Sequence, residues 1–430
     1  MPDLRNQNIS FFIFKIGVFF LASAPSLSAI LLIYPLLTGI KENYKNVFND
    51  KLNFFLIIGS SLMILKSLYS STFLTNTIED WNYSLNWYGL ANWLPLFLVY
   101  FGFQSYLKTN NQREITGKIF LLGTVPVIFS IFSHYYLGWY GPFEAFNGFI
   151  VWFQKPLTEI NQPVSGLFNN PNYAGAWLAI IWPFSLALLK TFKLEKINLN
   201  YFLVFTYCIL IILSLNLINS RGAWLGVIVS LPIMYGRKVL IWLGPLLLFF
   251  FSFLILIMTP NIPSLLQETL RFLIPDNILS NFTELNLSYE NMPRLLIWKN
   301  SIKLIFQKPF FGWGAGSFPV IFLYQTGMWK GHPHNLFLEL SISYGLLAST
   351  MIFSFVTILI SNALNNFLDN KNLLKNQFER SWFSASLISI ILQSFDITYF
   401  DLRISITIWI LFAGLRGIIY KEKLKVAENL

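Results

Sequence analysis

The sequence predicts an all-α, polytopic membrane bundle of about eleven or twelve spans. Three observations predict it: an apolar, charge-poor composition, apolar runs of span length along the whole chain, and basic residues that alternate between successive connecting loops. Of the 430 residues, 55% are hydrophobic, 18% aromatic and only 12% charged. That mixture suits a bilayer and not a water-facing globule. The net charge of +10 does not indicate nucleic acid, because the lysines and arginines are scattered between apolar runs instead of gathered on one face. The single cysteine, Cys208, lies inside an apolar run. It excludes an intrachain disulfide and a thiolate metal cluster and reads as a buried thiol.

A hydrocarbon core about 30 Å thick takes about 20 helical residues. Apolar runs near that length occupy 11–40, 53–70, 88–107, 119–138, 174–190, 201–218, 222–235, 239–258, 335–364, 381–400 and 404–420. The first is too long for one straight span and is interrupted by Ser23 to Ser26 with Pro25, so twelve spans is the alternative to eleven. Ala22-Ser23-Ala24 looks like a signal-peptidase site, but Pro25 directly after it disfavours cleavage and the apolar run continues. The segment is therefore expected to be a retained span.

The loops alternate in charge. Lys41, Lys45 and Lys51 share one; Lys108, Arg113 and Lys118 another; Lys190, Lys193 and Lys196 a third; Arg237 and Lys238 a fourth; Lys371, Lys375 and Arg380 a fifth; and Arg416, Lys421, Lys423 and Lys425 the tail. The intervening short loops hold only Lys155, Arg221 and Arg403. The positive-inside rule puts the first set in the cytoplasm and the long segment 259–334 outside. With no internal repeat, residues 1–430 read as one membrane domain, and 259–334 as a large extracytoplasmic loop inserted between spans. Within that loop, Arg294 to Lys308 places Leu295, Trp298, Ile302 and Ile305 on one stripe and Lys299, Asn300, Lys303 and Gln307 opposite. This predicts an amphipathic helix that lies on the membrane surface or caps the bundle.

Several outer-side residues could carry chemistry. Ser220-Arg221-Gly222-Ala223 joins two apolar runs with almost no loop, leaving a guanidinium at the outer membrane edge. Ionisable groups there are commonly functional, although an interfacial arginine can also simply snorkel. Arg294 follows Asn291 as an N-cap and Pro293 in the first turn. A cation there opposes the helix dipole by ~0.3–1 kcal/mol unless an anion binds between it and the free amides; otherwise it is an ordinary surface arginine. His332-Pro333-His334-Asn335 holds two of the three histidines. Histidine is the usual general base near neutral pH; a metal site competes, but no third ligand is evident, and His332 fits a loop histidine bonded to backbone. His134, beside Tyr135 and Tyr136, reads as part of an interfacial aromatic belt. The acidic candidates are Glu79, Asp80, Asp396 and Asp401. None shows the Asp-x-Asp spacing of a metal-dependent glycosyl transferase.

Four stretches taken in order resemble the O-antigen ligase superfamily of O-antigen ligases, O-antigen polymerases and protein O-oligosaccharyltransferases. They are Gly166-Leu167-Phe168-Asn169-Asn170-Pro171-Asn172; Ser220-Arg221-Gly222-Ala223; Arg294 and Trp298 followed by Pro309, Gly312, Gly314 and Gly316; and His334-Asn335 with Gly345. The resemblance covers about residues 160 to 348. Three residues after Gly345, where the family has Gly, Thr or Tyr, this chain has Ala348.

The resemblance implies that Arg221 and Arg294 match the family's essential outer-face arginines and His334 its essential histidine, with Asn335 and Asn172 binding substrate. It also implies transfer of a glycan from a polyprenyl diphosphate carrier to a hydroxyl of a lipid-anchored or surface glycan acceptor. The reaction would take place on the periplasmic face of the cytoplasmic (inner) membrane, with no cofactor, metal or nucleotide sugar. A polysaccharide polymerase is the alternative of the same fold. A transporter, such as the relatives labelled inorganic-carbon transporters, is the alternative of another class. A transporter should place ionisable groups or broken helices near the bilayer midplane, whereas here the suggestive polar groups gather at one face.

Overall fold

A computed structural model describes residues 4–73, 81–158, 162–192, 198–258, 293–369 and 376–428. Helices α1 (Leu4–Phe20), α2 (Pro25–Asn49), α3 (Asn53–Phe73), α4 (Leu85–Leu90), α5 (Leu94–Phe103) and α6 (Asn110–Tyr136) lead to a short antiparallel hairpin, β1 (Phe143–Ala145) and β2 (Ile150–Trp152). They are followed by α7 (Pro171–Leu189), α8 (Leu199–Ile218), α9 (Arg221–Tyr235) and α10 (Leu240–Met258). After the segment 259–292 come α11 (Pro293–Gln307), α12 (Ser317–Thr326), α13 (Leu336–Asp369), α14 (Gln377–Gln393) and α15 (Leu402–Glu428). The protein is all-α and polytopic, as expected. Each apolar run of the sequence overlaps a helix, although 88–107 is divided between α4 and α5 and 381–400 outlasts α14; the first divides at Pro25 into α1 and α2, which fold back on each other through Ser28 Oγ bonded to the Gly17 carbonyl (2.7 Å). Among the described residues, six helices are long and apolar enough to cross a membrane: α3, α6, α7, α8, α13 and α15.

Local chemistry sets the helix starts. Thr109 and Gln112 form a reciprocal capping box at α6. Asn170, with Pro171 in the first position, caps α7, and Asn376 accepts from two amides of α14. Asn219, in the left-handed conformation (φ 54°), ends α8 and lets α9 begin two residues later. The apolar window of α15 is 89% buried and that of α8 only 28%, so α15 is central and α8 peripheral. Cys208 on α8 is a free, buried thiol.

Around α14 the packing is tight. Gly414 of α15 lies under the Trp382 ring, where a Cβ would approach within 2.5 Å. The buried Ser381, Ser386 and Ser389 return their hydroxyls to helix carbonyls, which satisfies them without water.

Helix α11 caps the bundle. Ile297, Leu304 and Ile305 form a buried cluster with Phe318, Ile321, Phe322 and Ile342. The buried face is thus rotated from the expected stripe, and Leu295 and Ile302 are exposed, because α11 is wedged between α12 and α13 and its contact face follows those partners. Beyond it, the glycines explain the spacing of the third motif. α13 is broken at Gly345 (φ 83°). The 309–314 loop fills the gap: Trp313 N–H donates to the Ile342 carbonyl (2.7 Å), Gly314 N–H to Ser343 (3.0 Å), and Leu346 N–H to Pro309 (2.7 Å). Side chains at Gly312 or Gly345 would strike backbone within 2.4 Å.

Two expectations are corrected by burial. His134, read as part of an interfacial belt, turns inward: it is 2% exposed, with Nε2 bonded to the Lys155 carbonyl (2.9 Å). Arg113 and Arg416 are not solvated loop charges. Arg113 pairs with Glu379 (2.6 Å), both buried, and the buried Arg416 with the partly buried Asp50. Glu79, Asp80 and the expected cap Asn291 lie outside the described residues.

Candidate active site

Five chain segments converge at one end of the bundle. They are the start of α7 (Asn172), the α8–α9 elbow (Asn219 to Ala223), the start of α11 (Arg294), the 332–335 turn before α13, and the turn after α14 that carries Asp396 and Thr398. Arg221, Arg294, Asn172 and Asp396 line one cavity of about 140 Å³.

The α7–α9 crossing brings the elbow close. A Cβ on Gly175 would meet Ser220 Cβ at 2.8 Å, so α7 can approach α9 only without a side chain there. Ser220 is the N-cap of α9 but makes no side-chain cap bond. Its hydroxyl instead donates to Asn172 Oδ1 (3.2 Å). The opening turn of α9 therefore presents amides without a side-chain cap beside Arg221, in a cavity that Arg294 also lines. Two guanidiniums and a helix N-terminus make an anion-attracting wall.

Asp396 also lines this cavity, and behind it the carboxylate meets the two imidazoles of the 332–335 turn. His334 Nδ1 lies 3.0 Å from Asp396 Oδ1. An ionised carboxylate only accepts hydrogen bonds, so Nδ1 carries the proton and the lone pair is left on Nε2. Burial would raise the Asp396 pKa. The hydrogen bond from His334, the charges of both imidazoles and the Ile397 amide outweigh it and hold the carboxyl below its usual value. Asp396 Oδ2 accepts from Asn172 Nδ2 (2.9 Å), and Oδ1 from Ile397 N–H (2.9 Å).

His334 has a left-handed backbone (φ 54°), a sparsely populated region for a side-chain-bearing residue. Its surroundings hold it there. The Pro333 carbonyl accepts from Trp298 Nε1 (3.0 Å), and His334 N–H donates to His332 Nδ1 (3.2 Å). Asn335 caps α13 through Leu338 N–H (3.1 Å) and ties it to the Ser394 carbonyl (3.1 Å). His332 is thus the backbone-bonded loop histidine expected. Burial, then the neighbouring His334, pushes its pKa down to about 4 against the opposing pull of Asp396.

The structure puts Arg221 and Arg294 on one cavity, and His334 adjoins it through its bond to Asp396, which lines the same cavity. The Asn172 and Asn335 side chains each make hydrogen bonds within the protein, and Asn172 also lines the cavity. What sequence reading missed is the pairing of Asp396 with His334, 62 residues apart. The available signal was topological, since the acid lies near the outer end of the 381–400 run, on the same side as Arg221 and His334. Asp396 is also the third group absent from the sequence argument about metal: ligand atoms of His332, His334 and Asp396 lie within 4.8 Å of one another. In the present geometry His334 Nδ1 and Asp396 Oδ1 are bonded to each other, and His332 Nδ1 accepts a backbone amide.

Residues 206–353 match the family model described as O-Antigen ligase; the matched segment holds Arg221, Arg294, His334 and Asn335 and excludes Asn172 and Asp396. The chain is also 28% identical over 183 residues to the ComP-specific O-oligosaccharyltransferase of Acinetobacter baylyi (strain ATCC 33305 / BD413 / ADP1). That alignment covers 40% of this chain and 32% of the relative, so the chain spans about a third of the length of the curated relative it matches. The resemblance to the O-antigen ligase superfamily is borne out.

Proposed function

We propose, for a membrane chain whose central segment matches the O-antigen ligase family, that it is a ligase-type glycan transferase. It moves a glycan from a polyprenyl diphosphate carrier to a hydroxyl of a lipid-anchored or surface acceptor, on the periplasmic side of the inner membrane. One observation carries the reading: the cavity lined by both arginines also holds the carboxylate that grips His334. In the reaction, the acceptor oxygen attacks the anomeric carbon as the bond to the diphosphate oxygen breaks. His334 Nε2 takes the acceptor proton, and Asp396 steadies the imidazolium that forms. Arg221, Arg294 and the opening amides of α9 hold the charge that develops on the leaving diphosphate. Direct displacement inverts the anomeric centre. An apolar cleft beside Asn335, lined by Phe337, Phe353, Val356, Ile390 and Phe412, has the chemistry to take an isoprenoid chain.

The test is transfer from a synthetic polyprenyl diphosphate glycan by the purified protein and its His334→Ala variant, with and without chelator. General-base loss should lower turnover by about 10²- to 10⁴-fold while the protein stays folded and abundant. Wild-type turnover in His334→Ala, or arrest by chelator alone, would overturn the metal-free base. Surface polysaccharide from a deletion strain separates the two activities of this fold. Loss of a ligase leaves carrier-linked chains, and loss of a polymerase leaves single repeat units.

A further inference from the structure

Lys66 lies in the Asn53–Ser70 stretch of α3, one of the helices apolar enough to cross a membrane, and is 1% exposed. Among the described residues no carboxylate pairs with it. A buried ammonium without a counter-ion is costly, and an intramembrane cation calls for a partner. The residue it faces makes the imbalance worse. Lys66 lines a cavity of about 310 Å³ with Tyr69, Gln307, Lys308, Phe310 and Phe311, and Lys66 and Lys308 are close enough for their charges to act on each other. Lys308 has a local reason for its place. It directly follows α11, where a cation complements the last carbonyls, and its ammonium sits 4.0 Å from the Trp313 ring centre. Nothing similar accounts for Lys66.

We propose that this cavity binds a phosphate-bearing anion, with Lys66 and Lys308 as its charge partners and the Gln307 amide as a further donor. The rim indicates where such a group would come from. Tyr69, Phe310 and Phe311 are 48%, 64% and 45% exposed, and Tyr69 stacks on Phe311 with ring centres 6.2 Å apart. Cations inside an aromatic collar suit the head group of an anionic lipid, and free phosphate offers the same contacts without the apolar part. The cavity shares no lining residue with the one that holds Arg221 and Arg294, so the proposal stands independently of the transfer reaction.

The experiment is calorimetric titration of the full chain in neutral detergent with dihexanoyl phosphatidylglycerol, dihexanoyl phosphatidylcholine and inorganic phosphate. Lys66→Met and Lys308→Met are run beside the wild type. Saturable binding of the glycerol lipid, weakened about tenfold or more in each variant, is the expected result. Inorganic phosphate that competes at similar affinity would identify a free anion as the source, and its failure to compete would identify the lipid. Thermal unfolding gives a second reading. Lys66→Met should unfold no lower than wild type without ligand, because it removes a buried charge, and should lose the rise that the anion produces. Absence of saturable anion binding, equal binding of the zwitterionic choline lipid, or wild-type affinity in both variants overturns the proposal.

Discussion

Helix α14 carries a carboxylate near one end and leads to another just beyond the other end, and each grips a basic partner far away in sequence. Glu379 and Arg113 are each 1% exposed, and the guanidinium also bonds to the carbonyls of Leu107 and Lys108 and to Asn110 Oδ1. Asp396 and His334 are 21% and 28% exposed, and Asp396 lines a cavity that Arg221 and Arg294 also line. The first pair is closed: every guanidinium proton is bonded within the protein, and burial shuts the carboxylate off from other molecules. The second leaves His334 Nε2 uncommitted to its carboxylate. A buried pair with all its hydrogen bonds made locks helices together, whereas a half-buried pair with one lone pair to spare can move a proton.

The largest effect should come from the closed end. Glu379→Leu leaves the Arg113 guanidinium buried without its counter-ion, which should destabilise the fold by ~3–5 kcal/mol. Thermal unfolding in detergent and abundance in the membrane should both report it. If Glu379→Leu unfolds at the wild-type temperature, the pair is not a structural lock and the contrast with Asp396 disappears.

At the open end, Asp396→Asn should behave in the opposite way. The amide keeps the shape and its contact with Asn172 but cannot hold the His334 Nδ1 proton in the same tautomer. Turnover should fall by about 10- to 100-fold with the unfolding temperature nearly unchanged. A variant that loses stability and keeps its turnover would make Asp396 a structural residue like Glu379.

The arginine wall permits a finer test. If the Arg294 guanidinium grips diphosphate through two parallel hydrogen bonds, Arg294→Lys should lose nearly as much turnover as Arg294→Ala, each about 10- to 100-fold. Near-normal transfer by the lysine variant alone would show that charge suffices and the fork is irrelevant.

How much of this was legible follows from the range of each interaction. The helices were readable because apolar runs near 20 residues are a local property, and the Pro25 break was visible as Ser and Pro within one such run. Arg221, Arg294 and His334 could be picked out because each sits at the edge of a run, beside a cap or turn residue. The ion pairs were not readable. Arg113 and Arg416 count as loop charges in any local window, and their partners lie 266 and 366 residues away. Asp396 was hidden in the same way. Its role is set by the 332–335 turn, which α13 separates from it in the chain. The buried face of α11 was misjudged because periodicity reports an apolar stripe, while α12 and α13 decide which side is covered.

The smallest effect separates the two histidines of that turn. His332 Nδ1 accepts the His334 backbone amide and its Nε2 lies 3.9 Å from Asp396 Oδ1, so it braces the turn without taking the acceptor proton. His332→Ala should therefore cost less than about tenfold in turnover, well below the loss in His334→Ala. Its titration offers a second readout with a definite sign. An unfolded chain protonates this imidazole as pH falls through 6.5, while the folded one resists until about 4. Between those values the unfolded state binds more protons, so the contribution of His332 to stability declines as pH falls from 6.5 to about 4 and levels off below that. Thermal unfolding of wild type and His332→Ala across pH 4 to 7 should show a shallower decline in the variant. If both proteins lose stability in parallel over that range, His332 is not held neutral in the folded turn, and its assignment as a brace fails.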